Sequence, residues 1–212
     1  MKKIMFNDRY GLTQAVIEGR KTMTRRMISG YPLLPEDRIE DASICPDSFV
    51  SIIANGGESL MEVKYHYKVG EIVAVAQSYN YLANIYHDKG SYLLQLSKVH
   101  GYKLAYITEL PGWRNKMFVD PQLMPHQIRI TGIKCERLQD ISDDDCMREG
   151  ISEAWYESTD TTLYGYADEK KWTAVEFDTP REAFAALIDK VSGRGTWKSN
   201  PWVVAYEFDL LK

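Results

Sequence analysis

Apolar positions recur along this chain with two different periods, and the changes of period mark out its elements. Leu12, Ala15 and Val16 fall at one-face helical spacing, and Gly19 stands where such a helix closes in a left-handed turn. A short first strand is expected ahead of it, over Lys3 to Phe6. From Tyr31 to Tyr67 the pattern weakens. Pro32, Pro35, Pro46 and Gly56-Gly57 punctuate short segments there, and Phe49 to Ala54 reads as a strand among them. Val69-Gly70-Glu71 is a turn feeding Ile72-Val73-Ala74-Val75-Ala76, a continuous apolar run of the kind buried on both faces of a sheet. Gln77 stands where that strand emerges.

Asn80 to Pro125 is aromatic and irregular, with Tyr92 to Leu96 as a strand candidate. A region this long without clear period reads as an elaboration of the core. Ile128, Ile130 and Ile133 predict a strand within His126 to Leu138, kinked near Gly132. Ser142 with Asp145 resembles a capping box, and Gly150 closes the short helix behind it. The clearest helix has Thr179 as cap, Pro180 in its first position and Glu182 completing the box. Phe184, Leu187, Ile188 and Val191 form its buried stripe, and Gly193 ends it. In the last segment Trp202, Val204, Tyr206, Phe208 and Leu210 alternate with smaller or charged residues, which predicts a strand with one core face. Helices and strands do not alternate regularly, which excludes a doubly wound sheet. The pattern predicts one compact α+β domain on a curved, mostly antiparallel sheet.

Composition adds limits. With 212 residues, 44% of them hydrophobic and 26% charged, the chain can bury a substantial core as a globular protein. No apolar run approaches the roughly 18 to 20 residues of a membrane span. The apolar part of Met1 to Phe6 is too short for a signal peptide core, so a cytoplasmic location without membrane attachment is expected. Cys45, Cys135 and Cys146 are widely spaced and read as reduced thiols. His66, His87, His100 and His126 show no ligand spacing, so neither metal nor cofactor is expected. The net charge of −4 argues against long duplex DNA as a partner. Its distribution is uneven. Residues 1 to 30 hold seven Lys/Arg against two acids, and residues 140 to 182 hold thirteen acids against four bases. Either a local anion site has an acidic flank, or the acidic segment packs near the basic one.

The candidate chemistry gathers just past Gly19, where Arg20, Lys21, Thr22, Thr24, Arg25 and Arg26 offer charge and hydrogen-bond donors. By pattern alone a solvated basic turn ranks ahead of a site. No glycine-rich phosphate loop, HExxH or GxSxG motif occurs. Asp143-Asp144-Asp145 suits a first helical turn for dipole reasons. Gly193-Arg194-Gly195 reads as a helix terminator.

At Gly19-Arg20-Lys21-Thr22-Met23-Thr24-Arg25, however, the sequence resembles the ASCH family of the PUA-like superfamily, whose hallmark has the form G-x-K-T-x-T-x-R. Val69 to Val75, Ile128 to Ile133 and Trp197 to Tyr206 follow in the family's order. The resemblance covers about half the chain and makes residues 1–212 a single domain, with insertions at about 31–66, 81–125 and 153–178. It implies a PUA-like β-barrel with flanking helices and a cleft beside the first helix. Relatives in the superfamily bind RNA or modified nucleosides. One small ASCH enzyme type removes the acyl group of N4-acetylcytidine with a Lys and a Thr of the hallmark and a Glu near the central strand. Lys21 and Thr24 match the first two, and the third falls at or near Gln77.

Gln77 departs from that pattern. An amide cannot protonate a leaving amine, yet it can donate and accept at a nucleobase edge. Glu71, the nearest alternative carboxylate, sits at the strand's start. The resemblance therefore implies a ligand site of Lys21, Thr22, Thr24, Arg25, Gln77 and Tyr79, with Lys21 and Thr24 catalytic only if the protein is an enzyme. Of Arg25 and Arg26, one would hold phosphate or close the cleft, and the other would be solvated or paired with an acid. Tyr79 and Tyr81 either stack a base or cover the barrel rim. Trp155, Tyr164, Tyr166 and Trp172 read as a satellite core. RNA or a modified nucleoside is the expected partner. An amidohydrolase acting on N4-acylated cytidine is the alternative, and a protein-interaction scaffold the third reading. The oligomeric state stays open.

Overall fold

The structure, a computed structural model, describes residues 1–28, 39–45, 49–54, 57, 59–168 and 173–211. Pro32, Pro35, Pro46, Gly56 and Trp172 lie outside the described residues. In chain order the elements are β1 (Lys2–Ile4), α1 (Leu12–Ile17), β2 (Met23–Met27), β3 (Ile39–Cys45), β4 (Phe49–Ala54), β5 (Ser59–Lys64) and β6 (Ile72–Val75). There follow α2 (Tyr79–Ile85), α3 (Lys89–His100), β7 (Gln127–Arg137), α4 (Asp143–Arg148), β8 (Ser152–Tyr156), β9 (Thr161–Asp168) and β10 (Thr173–Phe177). The chain ends with α5 (Pro180–Ser192), α6 (Thr196–Ser199) and β11 (Trp202–Leu211). The α+β class stands. By internal contacts the chain forms two compact units, one from residues 1–6, 72–128 and 211, the other from 7–71 and 129–210.

In the first unit β1 runs parallel to β6, with Lys3 opposite Ala74. This is one parallel pair in a chain whose other strands pair antiparallel in β11–β2, β3–β4–β5 and β8–β9–β10. Val73 through Ala76 are fully buried, as the continuous apolar run requires. Ala74 and Ala76 meet Tyr79, Leu82 and Ala83 of α2 and Tyr92 and Leu96 of α3 in one apolar cluster.

The strand expected over Tyr92 to Leu96 is a helix. Asp88 caps it by accepting the Ser91 N–H at 3.0 Å, and Gly101 ends it with φ of 68°. Tyr92 and Leu96, four apart, face the same way into the core. The contiguous run Tyr92-Leu93-Leu94 hides this spacing, because short apolar runs suit strand and helix alike.

The second unit carries the order β7–β11–β2 and two further three-stranded sheets, β3–β4–β5 and β10–β9–β8. The segments set apart as insertions thus have structure of their own. Within the last of them, β8, β9 and β10 pair as an antiparallel sheet. The satellite core expected there is partial, since Tyr166 is buried but Trp155 is 62% exposed.

Local signals hold well in this unit. Thr179 accepts the Glu182 N–H at 3.2 Å, with Pro180 in the first turn of α5. Ser142 accepts the Asp145 N–H at 3.1 Å at the start of α4. Two burial expectations fail. Val191 is outside the α5 stripe, and Ala183 is buried instead. Val203 to Tyr206 are buried in succession, so β11 lies against protein on both faces there. Strand β7 runs on through Gly132, whose missing side chain makes room for Glu207; a Cβ would lie 3.3 Å from its Cδ.

Candidate functional site

Helix α1 stops where the pattern predicts. Gly19 takes φ of 75°, and the N–H groups of Arg20 and Lys21 both return to the Ala15 carbonyl at 2.9 Å. This double closure turns the chain and sends Lys21 inward, where 2% of it is exposed. Its Nζ donates to the carbonyl oxygen and to Oε2 of Glu149, both at 2.6 Å. Gly150 closes α4 at φ of 101° and packs on the lysine stem. A Cβ there would sit 3.2 Å from Leu12 Cδ2 and 3.4 Å from Lys21 Cδ. Burial pushes the Lys21 amine down, and the charge and hydrogen bond of Glu149 pull it back up. The cations Arg26 and Arg25 push down again, leaving it below the ordinary lysine value.

Strand β2 begins two residues later and brings Arg25 into the same cluster. Its Nε donates to Glu136 Oε1 at 2.8 Å, and its Nη2 to Asp145 Oδ2 at 2.8 Å. Nη1 donates to Glu149 Oε1 at 3.1 Å. Lys134 reaches Asp145 at 2.8 Å and Glu136 at 3.1 Å. Arg148 reaches Asp145 at 3.4 Å and Glu207 at 3.2 Å. Lys21, Arg25, Lys134 and Arg148 are thereby matched one for one by Glu136, Asp145, Glu149 and Glu207. Burial lowers the Arg25 guanidinium, but its carboxylate partners more than offset this and raise it. Burial likewise pushes the Asp145 carboxyl up, and hydrogen bonds from Lys134 and Arg25 outweigh it, holding the group below its ordinary value.

The charge asymmetry of the sequence is resolved here. The acidic stretch supplies Asp145 and Glu149 to the basic stretch's Lys21 and Arg25, and Asp168 takes Arg9 through two bonds of 3.1 and 3.2 Å. The packed-segment alternative is the one that holds.

The expected ligand residues divide between the units. Thr22 is built into the second unit's frame. Its N–H donates to the Arg148 carbonyl, its carbonyl accepts the Phe208 N–H, and its hydroxyl accepts from Arg148 Nε at 3.3 Å. Thr24 is buried on β2 opposite Tyr206. Gln77 and Tyr79 belong to the first unit. Gln77 is 2% exposed, its Oε1 lies 2.8 Å from His126 Nδ1, and its Nε2 is buried without a partner among the described residues. Burial lowers the His126 imidazole, which favours a neutral ring donating from Nδ1 to the amide oxygen.

Tyr79, expected as a stacking surface or rim cover, is neither. It is fully buried in the first turn of α2, with its hydroxyl 3.1 Å from His100 Nε2 and accepting the Asp120 N–H at 2.7 Å. No ring face is left for a base.

Glu149, Asp145, Glu136, Lys134 and Arg148 are the site residues that sequence reading missed. The excess of acid over 140–182 was the available signal, though it names no partner for any single base.

No family model, curated protein or solved structure matches the chain. Among the described residues no helix is long and apolar enough to cross a membrane. Among them, too, no three His, Cys, Asp or Glu side chains are grouped to hold a metal ion.

Proposed function

We propose that the chain is an ASCH-type, PUA-like protein that binds RNA or a modified nucleoside through the segment from Lys21 to Arg26. One observation carries the preference for binding over catalysis: Lys21 spends its amine on two oxygens of Glu149 at 2.6 Å. A lysine tied to a carboxylate in this way serves as a fixed donor and charge. To act on the Thr24 hydroxyl as a base it would first have to leave Glu149. Gln77 at the position where the enzyme type carries Glu points the same way, because an amide supplies no proton to a leaving amine.

The amidohydrolase reading keeps one supporting observation, the lowered Lys21 amine, since a general base works best with a pKa near the working pH. An assay with N4-acetylcytidine separates the two. The expected result is saturable binding without acetate release, weakened at least tenfold by Thr24→Val, a change that leaves the ionic cluster intact. Acetate release by the wild type that Lys21→Ala abolishes would overturn the binding reading. For the RNA version, short single-stranded RNA is titrated at two salt concentrations, and no affinity at the lower one removes that version.

A further inference from the structure

Opposed residues of paired antiparallel strands share a face of their sheet. Glu153 and Trp155 of β8 therefore lie on one side with Thr162, Tyr164 and Tyr166 of β9 and Val175 and Phe177 of β10. At its inner end this side is core. Tyr166 is buried, its ring edge-on to Tyr10 at 5.7 Å and stacked on Phe177 at 6.3 Å. Outward along β9, Tyr164 is half-buried and Thr162 is exposed, and Trp155, opposite Thr162, is 62% exposed. The core face thus continues past the residues that cover it. Every residue from Ser152 to Thr162 is exposed. On the reverse side of the hairpin the Tyr156 hydroxyl donates across to Glu176. The Trp155 indole has no hydrogen-bond or ring partner among the described residues.

Strand β8 is also an edge. It pairs with β9, and among the described residues no strand lies on its other side, so half of its backbone groups are open to a further strand. The hairpin's charge is of one sign. Ser152 to Thr162 carry Glu153, Glu157 and Asp160 and no Lys or Arg. None of these acids has a cation partner among the described residues. Arg148, before the hairpin, is held by Asp145 and Glu207. The next base after it, Lys170, follows Asp168, which lies about 20 Å along β9 from Thr162. Such an edge repels phosphates, anionic lipid and the same edge of a second copy, and it draws a basic segment.

We infer that β8 and the bare face beside it are a docking site for an extended segment of another protein. That segment carries an apolar residue with a Lys or Arg two positions to either side. It adds a fourth strand along β8, sets the apolar side chain against Trp155 and brings its two bases to Glu153 and Glu157. An exposed tryptophan ringed by polar groups is the kind of residue that carries most of an interface's affinity. The site is separate from the nucleoside-binding reading and does not rest on it.

The test is an amide NMR titration of the full chain with a blocked heptapeptide, Thr-Lys-Thr-Phe-Thr-Lys-Thr, whose pattern reads the same in both strand directions. Three control peptides replace both Lys by Glu, gather the same residues into blocks, or carry N-methyl groups on alternate residues. The Lys peptide is expected to shift the amides of Ser152 to Tyr156 and the Trp155 indole N–H, and to slow amide exchange along β8. Each control should bind at least tenfold more weakly. Trp155→Ala, with an unchanged Tm, should weaken the Lys peptide at least tenfold, and Glu153→Gln with Glu157→Gln should do the same. Equal binding of the Lys and Glu peptides, or of the N-methylated one, overturns the inference. So do shifts confined to other amides, or no shift at millimolar peptide. Single-stranded RNA or phosphatidylglycerol vesicles shifting the Trp155 signals would overturn it in favour of a polyanion or a membrane. Concentration-dependent dimerisation that Trp155→Ala abolishes would overturn it and give the face to a second copy.

Discussion

Arg25 and Arg26 are neighbours on one strand with opposite surroundings. Arg25 has 1% of its side chain exposed and three carboxylates, from Glu136, Asp145 and Glu149, within 3.1 Å. Arg26 lines a cavity whose described walls hold basic, aromatic and apolar groups. The same residue type, one position apart, is tied to three acids on one face of the strand and lines a cavity on the other. The lesson is that a basic cluster in a sequence is not one object. Strand alternation divides it, and each half is decided by what the fold brings to that face.

The largest expected effect separates the two halves outright. Arg25→Met leaves three carboxylates, those of Asp145 and Glu149 buried, without their shared cation and should cost about 3–5 kcal/mol in urea denaturation. Arg26→Gln, at a half-buried position on the other face of the strand, should cost about 1 kcal/mol, as most single substitutions do. Equal losses would end the comparison. A smaller effect probes how tightly the closed side is packed. Gly150→Ala puts a Cβ against Leu12 and Lys21 at a φ of 101°, and about 1–3 kcal/mol of destabilisation should follow, read as a lowered Tm. No change would mean that the loop after α4 yields, so that Lys21 is less fixed than its bonds imply.

The gentlest probe is pH. The Asp145 carboxyl is depressed in the folded state, so its contribution is present above the ordinary carboxylate value. That contribution should fade as the pH falls below 3.8 and through the folded value. Lys21 has the opposite sense. Its folded amine lies below 10.5, the unfolded chain holds more protons in the window between, and stability should rise with pH across it. Stability curves for wild type and Glu149→Gln check both. The variant should steepen the alkaline rise, because Glu149 is what holds the Lys21 amine up; an unchanged curve would show that the pair is not coupled.

Much of the local structure was legible in the chain. The caps at Ser142 and Thr179, the stop at Gly19, the buried strand over Val73 to Val75 and the strand at Phe49 all rest on hydrogen bonds or burial patterns confined to a few residues. Helix α3 was misread because its apolar positions lie side by side, and only the cap at Asp88 and the turn at Gly101 tell helix from strand. The burial of Tyr79 was equally out of reach, since its two partners, His100 and Asp120, are 21 and 41 positions away.

What the sequence determined by itself was therefore the set of short-range elements and the place where chemistry gathers, because caps, turns and strand alternation act over two to four residues. The tertiary structure decided which of those cations is spent. Lys21 meets Glu149 across 128 positions, and Arg25 meets Glu136 and Asp145 across 111 and 120. Only the register of paired strands and the packing of α4 bring such groups within the roughly 3 Å at which a charge-assisted hydrogen bond selects its partner.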